Sequence, residues 1–201
     1  MIYKRMKGTI METIVQAKRV LEIFKEMSQI PRESGNEKGI SDYIVNFAKH
    51  LGLEVHQDEI FNVVIKKAAS PGYENRPSII LQGHIDMVCV KDHDSNHDFS
   101  KDPIANIIEG EWMHADHTTL GADNGMGAAM MLALLEDESQ QHGPMQLLFT
   151  TNEETGMDGA FAIKEGQVTG DYLLNLDTEV EHDFTVSCAG GCHVHVNIPL
   201  L

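Results

Sequence analysis

Three times in this chain an apolar run of strand length ends on residues able to bind cations or carry protons. Ile79-Ile80-Leu81 leads to His84 and Asp86, and Leu147-Leu148-Phe149-Thr150-Thr151 leads to Glu153 and Glu154. The third run, Tyr172-Leu173-Leu174-Asn175-Leu176, leads to Asp177. In open α/β sheets, ligands bind in the crevice beyond the carboxyl ends of the strands. The repeated pattern therefore predicts an α/β fold: a mixed, mostly parallel sheet flanked by helices, with three strand ends aimed into one crevice.

The segments around these strands carry helix periodicity. Ile14, Ala17, Val20, Leu21, Phe24 and Met27 recur at helical spacing and stop before Pro31. Ile40, Tyr43, Ile44, Phe47, Ala48 and Leu51 do so again, with Gly52 where a helix C-terminal glycine is favoured. Both stripes are expected to face the core. Between them Pro31 to Asn36 reads as a turn-rich loop, and short strands are expected at Leu53 to His56 and Asn62 to Lys66. Pro103 to Trp112 predicts a short strand or hairpin around Glu109-Gly110-Glu111. Met126 to Leu135 is apolar nearly all round and predicts a buried helix with Asp123 at its start.

Each candidate ligand has a plain structural reading beside the chemical one. Two-residue spacing in an extended segment points His84 and Asp86 to the same side. Such a pair is either a hydrogen-bonded turn or a metal-binding imidazole oriented by a carboxylate. Asp123, judged on its own window, reads first as an N-cap accepting free helix N–H groups. Adjacent glutamates repel unless a cation or a shared proton relieves them, so one of Glu153 and Glu154 as ligand and the other as base is a reasonable division. One imidazole among carboxylates suits zinc, manganese or cobalt better than calcium, and a carboxylate between two ions can bridge them. The polar run Lys91 to Asp98, with two histidines and three aspartates, reads as a solvated loop because no apolar element fixes its side chains.

The charge balance excludes some partners. Thirty-one acidic against 15 basic residues give a net charge of -16, which disfavours a phosphate backbone and so nucleic acid. No apolar run approaches the roughly 20 residues of a membrane helix, and the basic segment Met1 to Met11 lacks the apolar core of a signal peptide. A cytoplasmic location is the expectation, with no membrane partner. The three cysteines, Cys89, Cys188 and Cys192, contain no C-x-x-C pair and read as buried or idle thiols.

The combination of motifs resembles a known family. Gly83-His84-Ile85-Asp86, Thr119-Leu120-Gly121-Ala122-Asp123-Asn124-Gly125, Thr151-Asn152-Glu153-Glu154-Thr155-Gly156-Met157-Asp158-Gly159-Ala160 and Asn175-Leu176-Asp177-Thr178-Glu179 resemble the M20 clan of dinuclear zinc peptidases. Within it they look most like the aminoacyl-histidine, or cytosol non-specific, dipeptidases. The likeness runs from about Glu12 onward and includes His97 to Pro103 and Ser187 to Gly191. It implies that His84 and Asp177 bind one metal, that Glu154 binds the other and that Asp123 bridges both. Asp86 would orient His84, and Glu153 would take a proton from a metal-held water and return it to the leaving amine. The implied cofactors are two divalent ions, zinc first, with cobalt or manganese possible. The implied substrates are dipeptides, Xaa-His and β-alanyl-histidine among them, and the implied assembly is a homodimer.

The same resemblance divides the chain into an N-terminal extension (1–11), the N-terminal part of a catalytic domain (12–186) and the opening of a lid and dimerisation domain (187–201). In the family a distal histidine, far toward the C-terminus of a longer chain, completes the second metal. His182, His193 and His195 match no such motif, so the chain is expected to be an incomplete enzyme. Ala115-Asp116-His117 also departs from relatives, which usually carry a basic residue and glycine there. The rival readings are a metal-binding or interaction module without turnover, and an M28- or M42-type aminopeptidase.

Overall fold

The computed structural model describes residues 7–178, 180, 183–187, 189, 190 and 194–199, with residues 7–16 described in backbone only. Two helices, α1 (Lys7–Met27) and α2 (Lys38–His50), precede strands β1 (Glu54–Gln57), β2 (Val63–Lys67) and β3 (Ile79–His84). A hairpin of β4 (Asn106–Glu109) and β5 (Trp112–Ala115) follows, and then helix α3 (Ala122–Glu136). Strand β6 (Met145–Thr150), the short helix α4 (Asp158–Ala162) and strand β7 (Tyr172–Asn175) complete the order. Among the described residues no helix is long and apolar enough to cross a membrane.

The main sheet has the order β1-β2-β6-β3-β7. It is mixed, as expected: β1-β2 and β2-β6 run antiparallel, whereas β6-β3 and β3-β7 run parallel. Side-chain alternation divides its faces. Val63, Ile65, Leu81, Leu147 and Phe149 point into the main core with Ile23, Phe24, Ile44, Met131 and Leu132 of the first three helices. Val64, Ile80 and Leu148 point the other way, into a small cluster with Ile163 and Val168. Burying both faces explains why β2, β3 and β6 read as continuous apolar runs.

Three expectations need correction. On α1 the buried stripe is Ile23, Phe24 and Met27, with Val20 half-buried, while Ala17 and Leu21 are exposed. Leu21 lies roughly 110° from the centre of that stripe at 3.6 residues per turn, so its side chain points away from the core. The β7 strand is apolar yet exposed, with Leu173 55% accessible, because among the described residues it is the last strand of the sheet and pairs with β3 alone. Asp123 does not cap α3: its backbone is extended where the chain kinks at the start of the helix, but among the described residues no helix N–H donates to its carboxylate. Its carboxylate turns to His84 instead. The expected hairpin does form, turning at Gly110.

Candidate metal centre

The parallel β6-β3-β7 arrangement aligns the three strand ends. His84 is paired in register with Thr150, and Gln82 with Asn175, so the residues after each strand emerge at one level of the sheet. His84 and Asp86 leave β3, Glu153 and Glu154 sit in the turn after β6, and Asp177 follows β7. The α3 helix packs against β3 and brings Asp123 from the other side. The close approach depends on glycine: a Cβ at Gly83 would lie 2.7 Å from Asn124 Oδ1, and one at Gly127 would collide with the same atom.

His84 is 1% exposed. Its Nε2 lies 3.1 Å from Asp123 Oδ1, 3.8 Å from Asp177 Oδ2 and 3.9 Å from Glu153 Oε2. On the other side of the ring, Nδ1 is 3.2 Å from Asp86 Oδ1, an ion-pair contact rather than a well-aligned hydrogen bond. Burial pushes the His84 pKa down, but the carboxylates of Asp86, Asp177 and Glu153 outweigh it and raise it to about 9.

Asp86 is completely buried. Its Oδ1 accepts from the backbone N–H of Glu153 at 3.1 Å, and its Oδ2 accepts from Ser34 Oγ at 2.8 Å and from the Glu154 N–H at 3.2 Å. Burial alone would push its pKa up. His84, Ser34 and the Glu153 N–H overcome that and bring it down to about 2. Asp86 is therefore an anion fixed behind the imidazole, oriented by a turn that carries two further acids.

The ligand-type atoms converge. One oxygen each from Asp123 and Glu154 and a ring nitrogen of His84 lie within 4.8 Å of one another. Burial first, and the neighbouring acids after it, raise the pKa values of Asp123, Glu153 and Glu154. For Asp123 the next cause is the neighbouring Asp177. Asp177 stands close by, its Oδ1 accepting from Asn124 Nδ2 at 2.7 Å. All six residues singled out in the sequence thus meet at this end of the sheet.

Other sequence candidates stay apart from the cluster. His117 has a left-handed backbone and pairs its Nδ1 with Asp92 Oδ2 at 2.7 Å, both side chains exposed. His93 and Asp94 are fully exposed in a solvated loop. His195 is exposed, while His182, His193, Cys188, Cys192 and Glu179 lie outside the described residues. Cys89 is a half-buried free thiol.

Sequence reasoning gave no role to Asn124, which is buried and holds both Leu176 O, at 3.0 Å, and Asp177. It also passed over Arg32, Ser34 and Glu37, since polar residues in a turn-rich loop read as solvated. The one available signal was their placement between two helices whose apolar stripes enter the same core.

The sequence pattern of peptidase family M20/M25/M40 matches residues 80–197. The chain is 46% identical to the cytosol non-specific dipeptidase of Escherichia coli (strain K12) over 179 residues, which are 89% of this chain and 37% of that protein. The crystal structure of aminoacylhistidine dipeptidase from Vibrio alginolyticus superposes with a TM-score of 0.79 at 47% identity, covering 81% of this chain and 33% of that one. A tripeptidase from Staphylococcus aureus superposes with a TM-score of 0.68 at 27% identity, covering 81% of this chain and 44% of its own. The chain thus spans between a third and a half of the length of these relatives.

Proposed function

The chain belongs to peptidase family M20/M25/M40, and we propose that it carries most of the metal centre of a dinuclear metallodipeptidase. The observation that carries this reading is the convergence of His84, Asp123 and Glu154 within 4.8 Å, from three separate elements. Their donors fit a divalent cation: one imidazole whose far nitrogen faces a buried carboxylate, and carboxylates whose mutual repulsion a cation would relieve. His84 and Asp177 would hold one ion and Glu154 the other, with Asp123 between them. Zinc suits this nitrogen and oxygen set, and cobalt or manganese would also be accepted by it.

Bound cations would supply Lewis-acid activation of a water nucleophile and of the peptide carbonyl. Glu153 supplies the proton transfers. Its carboxylate is partly exposed at the rim, and burial with the neighbouring acids raises its pKa above the ordinary glutamate range. A raised pKa makes Glu153 a better proton acceptor, able to take the proton from the attacking water and deliver it to the leaving amine. Asp86 moves no proton: it holds His84 in place and, through the two N–H groups it accepts, fixes the turn from which Glu153 and Glu154 project.

The substrates we propose are dipeptides, Xaa-His and β-alanyl-histidine included, on the likeness to the two dipeptidases above. We further propose that residues 12–186 belong to the catalytic domain, that 187–201 open a lid and dimerisation domain, and that the working protein is a cytoplasmic homodimer. The test is hydrolysis of β-alanyl-histidine, alanyl-histidine and longer peptides by the zinc-equilibrated complete protein and by its Glu153→Gln variant. Cleavage restricted to dipeptides and lost in Glu153→Gln supports the reading. Equal activity of the variant would contradict the role of Glu153, and a preference for longer peptides would favour an aminopeptidase.

A further inference from the structure

The loop between α1 and α2 contributes none of the His84, Asp123 and Glu154 donor atoms, yet it hydrogen-bonds to the three segments that carry them. Arg32 is 2% exposed. Its Nη1 donates to Ile85 O at 3.2 Å and Asp86 O at 3.1 Å, and its Nη2 donates to Gly121 O at 2.5 Å. It thereby joins the end of β3 to the turn that delivers Asp123. Ser34 Oγ donates to Asp86 Oδ2 at 2.8 Å. Buried Glu37 accepts at Oε1 from the N–H of Asn152 at 3.0 Å, one residue before Glu153, and from the Gly35 N–H at 2.9 Å. The loop backbone is pinned too, with the Met87 N–H donating to Arg32 O at 3.1 Å.

The Arg32 guanidinium is held in an unusual way. Burial lowers its pKa, with Asp86 and Cys89 opposing, only to about 10, so it stays charged at neutral pH. Its side-chain hydrogen bonds go to three main-chain carbonyls, and its buried Nε has no partner. The chain makes room for it: a Cβ at Gly125 would lie 2.7 Å from Nη2, and one at Gly121 would collide with it. An apolar side chain could fill that space, but it could not hold two ligand-bearing segments at a fixed separation through a planar fork.

We propose that Arg32, Ser34 and Glu37 are positioning residues that set the separation of His84, Asp123 and Glu154 for cation binding. This inference rests on the metal-centre reading above. Groups behind metal ligands commonly change affinity by roughly 10–100-fold when removed.

The test is titration of the 201-residue chain with Co(II). It reads the dissociation constant by chelator competition and the visible d–d absorption bands, with thermal melting of the metal-free proteins alongside. Ser34→Ala and Arg32→Lys are expected to bind Co(II) about 10-fold or more weakly with altered bands, and Ser34→Thr to recover the wild-type spectrum. Wild-type affinity and bands in both weakened variants, even with a lowered melting temperature, would reduce the loop to a structural strap and overturn the proposal. Should Arg32→Lys not fold, Ser34→Ala decides alone: weakened binding supports the proposal and unchanged binding overturns it. If the wild-type chain itself bound no Co(II), the metal-centre reading would fall with it. Tight wild-type binding matched by the variants removes only the positioning role.

Discussion

The backbone N–H of Glu153 donates to Asp86 Oδ1 at 3.1 Å, so the carboxylate behind the imidazole also holds the turn that presents the proposed base. One buried anion thereby couples the ends of β3 and β6, with the Glu154 N–H and the Ser34 hydroxyl on its second oxygen. Removing that anion strands the groups that were built around it.

Asp86→Ala is therefore expected to destabilise the metal-free protein by about 3 kcal/mol, the scale for removing one partner of a buried charged pair. Urea unfolding in the presence of a chelator measures this. Asp86→Asn, which keeps the shape and one acceptor, is expected to lose less. Equal stability of Asp86→Ala and wild type would mean that the network contributes nothing to the fold.

The sheet makes a second contrast available. Leu147 is fully buried in the central strand β6, whereas Leu173 on edge strand β7 is 55% exposed. Leu147→Ala is expected to cost about 3 kcal/mol through lost burial and cavity formation, and Leu173→Ala less than about 1 kcal/mol. Denaturant midpoints of the two variants check the order, and similar losses would contradict the edge position of β7.

Cys89 offers a pH-dependent readout. Burial, with Glu33 adding and Arg32 opposing, pushes its thiol up to about 11. Only the thiolate is nucleophilic, so alkylation at pH 8 should be at least roughly tenfold slower than for an ordinary thiol and should keep rising through pH 10. Site-resolved mass spectrometry after iodoacetamide pulses measures it. A rate that levels off near pH 9 would contradict the shift.

Much of this arrangement was legible in the sequence, and for identifiable reasons. His84, Asp86, Glu153, Glu154 and Asp177 each follow an apolar run, and a strand that ends on histidine or carboxylates is a local pattern visible in the sequence. Asp123 was harder, because an aspartate before an apolar helix looks the same whether it caps or binds. Only the 3.1 Å approach of its carboxylate to His84 distinguishes the two. Leu173 was legible as strand but not as edge, since edge position depends on strand order, which periodicity does not carry. Arg32 and Glu37 were illegible: the partners that tie them to the site are backbone atoms 53 to 115 residues away, and a main-chain carbonyl or N–H leaves no mark on composition.

On the proposed reading, His84, Asp123 and Glu154 bind divalent metal while Glu153 does not. Elemental mass spectrometry of zinc-equilibrated, dialysed wild type, Asp123→Ala and Glu153→Gln tests it most directly. Stoichiometric zinc is expected in wild type and Glu153→Gln, and its loss in Asp123→Ala. Zinc retained equally by Asp123→Ala, or absent from wild type, would contradict it.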